Sequence, residues 1–126
     1  MKVEIVGVSN RGNASREFVH LQAIEDCDLR FYMVADSSYV DPQHISNKLR
    51  NHFWFPAAQV KAKEHIILCT GVGVNNTTNS NGMTIHWFYW GLHRPVWNDG
   101  GDTAVLFELQ GWTSKSVPSG GLRLAA

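Results

Sequence analysis

Along most of the chain, apolar and polar residues alternate with a period of two. In "MKVEIVGVSN", Val3 and Ile5 alternate with Lys2 and Glu4, which predicts a half-buried strand over 2–8. "SNRGNAS" (9–15) has turn chemistry, with Asn and Gly suited to left-handed backbone angles. "EFVHLQAI" (17–24) and "DLRFYMV" (28–34) predict two further strands, and "EDCD" an acidic hairpin turn between them. Over 36–52 the alternation breaks. Asp41 offers a helix N-cap and Pro42 a first helical residue, and Ile45 and Leu49 fall on one face, so a short helix is predicted near 41–51. "HFWF" (52–55) predicts a brief strand stopped by Pro56, and "EHIILCT" (64–70) a strongly apolar one. "GVGVNNTTNSNG" (71–82) is polar and long, and predicts a mobile loop. "MTIHWFYW" (83–90), "TAVLFEL" (103–109) and "WTSKSV" (112–117) complete about eight strands. Such spacing predicts an all-β sandwich over residues 1–117, followed by a loosely held tail at 118–126.

Composition agrees with a folded domain. The chain has 126 residues, 44% of them hydrophobic and 17% charged. Lys+Arg and Asp+Glu are 11 each, a balance that argues against a protein gripping nucleic acid by charge alone. Residues 42–65 nevertheless hold Lys48, Arg50, Lys61 and Lys63 against Glu64, a candidate basic patch through which nucleic acid is a weaker candidate partner. Cys27 and Cys69 share no zinc spacing and are expected as free thiols. The amino terminus lacks the continuous apolar stretch of a signal peptide, and no run approaches the length of a membrane span. The expected location is therefore where the chain is made, unless it was cut from an exported protein.

The stretch "VWNDGGDTAVLF" (96–107) carries most of the local information. Gly100 and Gly101 accept positive φ, and Asn98, Asp99 and Asp102 carry short acceptors for nearby backbone N–H groups. Trp97 brings a large apolar body able to plug one end of a sandwich. Trp97 to Asp102 thus predict a structural turn. Asn98, Asp99 and Asp102 are also oxygen ligands acceptable to calcium, but calcium takes six or more oxygens, so amide capping is preferred and no metal or other cofactor is expected. His86 and His93, seven apart, and His44 and His52, eight apart, have no recognised ligand spacing. No Gly-x-Ser-x-Gly elbow, His-Glu-x-x-His or phosphate-binding glycine loop occurs, so no catalytic residue is assigned.

"WNDGGDTAVLFELQG" resembles the W-N-x-x-G-D-x-x-x-L turn of the lamin tail domain family. "NASREFVHL" (13–21) is similar to that family's N-x-x-x-E-[FW]-[VI]-x-L strand, and "FWFP" (53–56) with "VKAKEHIIL" (60–68) to its F-x-F-P segment and following strand. Where the family places a Gly before the "HII" strand, this chain has Lys63 nearby. The resemblance implies an immunoglobulin-like sandwich that serves as a non-enzymatic interaction module. The aromatic strand supplies the candidate binding face: Trp87, Phe88, Tyr89 and Trp90, with Arg94 beyond it. Alternation puts Trp87 and Tyr89 on one face and Phe88 and Trp90 on the other. One pair is expected in the core. The other pair either binds a protein partner or a second copy, or is covered by segment 36–52. A glycan stacking on the rings, or DNA along the basic segment, are the alternatives, and an enzyme with a fold-assembled site comes after them.

Overall fold

The computed structural model describes residues 1–41, 44–98 and 102–118, without the side chains of 38–48. The chain is all-β. Among the described residues ten strands form in chain order: β1 (Val3–Ser9), β2 (Phe18–Ala23), β3 (Cys27–Asp28), β4 (Tyr32–Asp41), β5 (His44–Trp54), β6 (Gln59–Val60), β7 (His65–Cys69), β8 (Asn76–Ser80), β9 (Met83–Tyr89) and β10 (Asp102–Glu108). A 3-10 turn at Leu29–Phe31 is the one helical element among the described residues, and no helix there is long and apolar enough to cross a membrane.

The strands make a five-stranded sheet in the order β1-β2-β7-β9-β8, a three-stranded sheet β10-β4-β5, and a small β3-β6 pair. All neighbours are antiparallel except β7 and β9. The two larger sheets face each other across a core. Val19, Leu21, Ile66, Leu68 and Phe88 enter it from one side, Tyr32, Val34, Phe53 and Leu106 from the other. Ring contacts cross the gap, with Phe53 6.4 Å from Phe88 and 5.9 Å from Trp90 between centroids. This is the two-layer arrangement of a β-sandwich.

Several expectations are corrected. The segment predicted as a helix near 41–51 is strand from His44 onward, paired to β4. The Asp41–Pro42 cap signal lost to tertiary pairing, and Pro42 itself lies outside the described residues. Register shifts between Asp36/Ser37, Ser37/Tyr39 and Tyr39/Asp41 explain why no alternation was legible there. The predicted mobile loop 71–82 contains β8 and its tight hairpin to β9, with Ser80 opposite Met83 and both Asn81 and Gly82 at positive φ. "WTSKSV" forms no strand and is exposed; among the described residues, the last backbone bond past β10 runs from Leu109 N–H to Phe31 C=O. "EDCD" is not a hairpin turn, because β2 pairs with β1 and β7 while β3 pairs with β6. Its carboxylates instead cap another segment: Asp26 accepts from the Ala62 amide and Asp28 from the Ala58 amide. The predicted tail lies outside the described residues beyond Pro118.

Candidate functional site

The aromatic strand β9 divides as alternation requires. Phe88 is buried, and Trp90 packs on the core with its indole N–H donating to the His52 carbonyl at 3.1 Å. Both leave the candidate binding face. Trp87 and Tyr89 lie on the outer face of the five-stranded sheet, in rows with His20 and Ile67 and with Phe18 and Cys69. Segment 36–52 does not cover them, since it belongs to the opposite sheet. Their neighbours come from 73–80. The Trp87 indole donates to Thr78 Oγ1 at 2.8 Å, and Asn75 Oδ1 accepts from the Tyr89 amide at 3.1 Å. Gly73 sits so close to the Tyr89 ring that a Cβ there would fall 2.4 Å from its carbons. This pair is half-buried beneath its own strand neighbours.

A more open aromatic cluster lies on the outer face of the three-stranded sheet. Phe31, Trp54 and Trp112 are 37%, 47% and 49% exposed. Trp112 stands edge-on to Trp54 at 4.8 Å and tilted against Phe31 at 5.7 Å between centroids. The Arg30 guanidinium lies 5.2 Å from the Phe31 ring centre and is tied to Asp28 at 3.0 Å, while the Trp54 indole donates to the Arg30 carbonyl at 2.7 Å. Register places Met33 beside Trp54 and Phe107 beside Met33, extending the apolar face. Sequence reading missed this cluster because its members come from three distant segments; only the "FW" pair at 53–54 hinted at it, since Phe53 must turn inward if Trp54 turns outward.

The 91–98 connection closes one end of the sandwich. Trp97 is 2% exposed and packs against Trp90 at 6.3 Å between ring centroids; among the described residues its indole N–H has no hydrogen-bond partner. The backbone of this connection hangs on Glu17, a buried carboxylate. Glu17 Oε2 accepts from the Val96 amide at 2.7 Å, the Trp97 amide at 3.3 Å and Thr70 Oγ1 at 2.6 Å, and Oε1 from the Gly12 amide at 3.0 Å. Three separated segments therefore converge on one side chain, a role sequence reading did not give it. Asp99, Gly100 and Gly101 lie outside the described residues.

Beside this connection lies an open pocket of about 470 Å³, whose lining includes Asp36, Arg50, Asn51, His93, Arg94 and Asn98. Asp36 is buried and takes Arg50 Nη2 at 3.2 Å and Asn51 Nδ2 at 3.4 Å; Arg50 Nη2 also bonds the Asp102 carboxylate at the start of β10. Burial, then the Asp102 charge, push the Asp36 carboxyl above its usual range, and Arg50 and Asn51 oppose that push. Asp102 thus has a long-range cationic partner that the sequence reading did not name.

The candidate basic patch is dispersed. Arg50 is committed to two carboxylates at this end. Lys61 and Lys63 are exposed and line a different groove with Gln22, His65 and Met83, at the end where β7 and β9 begin. The side chain of Lys48 lies outside the described residues. Arg94 is exposed at the end pocket, away from the aromatic cluster's lining residues. Cys27 and Cys69 are free, and burial pushes both thiols above the ordinary range. Compared with models of known families and with curated proteins, the chain matches none.

Proposed function

We propose that the chain is a non-enzymatic interaction module, a lamin-tail-like sandwich that engages a protein partner or a second copy of itself through outward aromatic side chains. One observation carries this reading: Phe31, Trp54 and Trp112 form an exposed, mutually packed cluster beside Arg30. Tryptophan and arginine dominate the energetics of protein interfaces, and a cluster already held by ring contacts loses little side-chain freedom when it binds. The five-stranded sheet offers the weaker alternative, because Trp87 and Tyr89 are half-buried against residues 73–78.

Sedimentation from micromolar to millimolar concentration tests the self-association form of this reading. The parent is expected to associate with rising concentration, and a Trp54→Ser/Trp112→Ser variant to stay monomeric with its thermal midpoint little changed, since both rings are about half exposed. If the parent remains monomeric, immobilised parent and variant are compared for capture of protein partners. Identical behaviour of the two in both assays overturns the reading.

A further inference from the structure

His20 on β2 and His65 on β7 meet on the outer face of the five-stranded sheet. His20 Nε2 and His65 Nδ1 are 2.9 Å apart, with ring centroids at 5.1 Å and an interplanar angle of 34°. Such a contact requires one nitrogen to carry the proton and the other to present its lone pair. The register explains the meeting. Gln22 stands opposite His65 and His20 opposite Ile67, so the two imidazoles are diagonal neighbours across an antiparallel pair. Both are half-buried, flanked by Ile67, with the Gln22 amide turned to the Lys63 carbonyl.

We propose that His20 Nε2 and His65 Nδ1 form a two-point binding site for a divalent transition-metal ion of the zinc, nickel or copper class, which takes the place of the proton they share. Imidazole nitrogen suits these ions, and zinc–nitrogen bonds run about 2.0–2.1 Å. Two such bonds at a tetrahedral angle place the nitrogens about 3.3 Å apart, so the nitrogens part by about 0.4 Å from their 2.9 Å contact and both rings turn to aim their lone pairs at the ion. The proton between the rings moves to the other nitrogen of the ring that carried it. Two lone pairs then face the ion, two metal–nitrogen bonds form, and no net proton is released from a neutral pair. No third His, Cys, Asp or Glu converges on such a position among the described residues, so water fills the remaining coordination positions. The fold presets the pair: β2 and β7 are both interior strands of the sheet, so the ligands sit on strands paired along both edges and not on a loop.

Calorimetric titration of the whole chain with Zn²⁺ at neutral pH tests the proposal. One ion per chain is expected. His20→Asn and His65→Asn should each weaken binding by more than about tenfold, at least the loss that follows removal of a mere outer-shell partner. His93→Asn, at an exposed position in the end pocket, should bind as the parent does. Ring-nitrogen NMR of the parent provides a second readout that needs no variant to fold: Zn²⁺ should shift His20 Nε2 and His65 Nδ1 together. Failure of the parent to bind, binding unaltered in both variants, or shifts confined to other histidines would overturn it.

Discussion

At the scale of single residues, two positions decide more than the sequence pattern suggested. Glu17 reads as the polar member of an alternating strand, yet it is 1% exposed and accepts four hydrogen bonds from Gly12, Thr70, Val96 and Trp97. Its replacement by Ala strands the Val96 and Trp97 amides and the Thr70 hydroxyl in the interior, each costing about 1–3 kcal/mol if water cannot reach it. Urea unfolding should therefore show Glu17→Ala less stable by at least about 3 kcal/mol; a loss under about 1 kcal/mol would mean that water or a shift of the 91–98 connection takes over the bonds. Lys63 works in the opposite sense. It stands near the glycine position of the resembled motif and holds φ at 76°, the left-handed region, while its amide bonds the Ala23 carbonyl and its carbonyl takes the Gln22 amide. Left-handed backbone costs a side-chain-bearing residue about 1–2 kcal/mol, and the looser unfolded chain of a glycine returns part of that. Lys63→Gly should raise stability by about 0.5–1 kcal/mol in the same assay, and any loss would show that the lysine side chain contributes more than its backbone strain takes away. Residue identity alone made the left-handed position at 63 visible only through a missing glycine, and it made the convergence on Glu17 invisible, because three of its four donors are backbone or hydroxyl groups from distant segments.

At the scale of elements, a strand was legible where its apolar residues fill the core, and harder to read where its pairing shifts repeatedly or its side chains are all polar. The segments read as strands over 2–8, 17–24, 64–70 and 83–90 stand within a residue or two of β1, β2, β7 and β9; each sends apolar residues into the core, and β2 keeps strict alternation of burial. β4 and β5 pair through successive register shifts, so their apolar positions drift off period two and Ile45 and Leu49 mimic a helical face. β8 failed for a different reason. All five of its residues are exposed polar side chains, so no hydrophobic pattern exists to read, and the signal lay in the Asn81–Gly82 pair alone. Gly82 holds φ at 76°, and a Cβ there would meet nothing within 4 Å. The cost of Gly82→Ala is therefore purely conformational, about 1 kcal/mol. It should appear as faster amide exchange across β8, with the core strands β2 and β7 little changed. Protection in β8 equal to the parent's would mean that the hairpin is held by its cross-strand contacts, such as Thr78 on Trp87, and not by the turn.

At the scale of the whole molecule, charge and aromatic surface point to different kinds of partner, and the fold separates them. Acidic and basic residues balance at 11 each, and Arg50, the centre of the predicted basic segment, is drawn into the Asp36–Asp102 pair at one end of the sandwich. Lys61 and Lys63 remain exposed at the end where β7 and β9 begin. Two lysines neutralise at most about two phosphates, so nucleic-acid affinity through them would carry a log–log salt slope of only about −2 and be weak at physiological ionic strength. The Phe31–Trp54–Trp112 face lacks that dependence. If the proposed contact is made through it, the energy would come from apolar area and ring contacts, which salt does not screen and strongly excluded salts such as sulfate strengthen. Raising sodium chloride should therefore leave association of the chain nearly unchanged, and sodium sulfate at equal ionic strength should tighten it. A steep linear fall of log affinity with log salt would instead assign the contact to charged groups, and would move the search for the binding face from the three-stranded sheet to the groove between Lys61, Lys63 and His65.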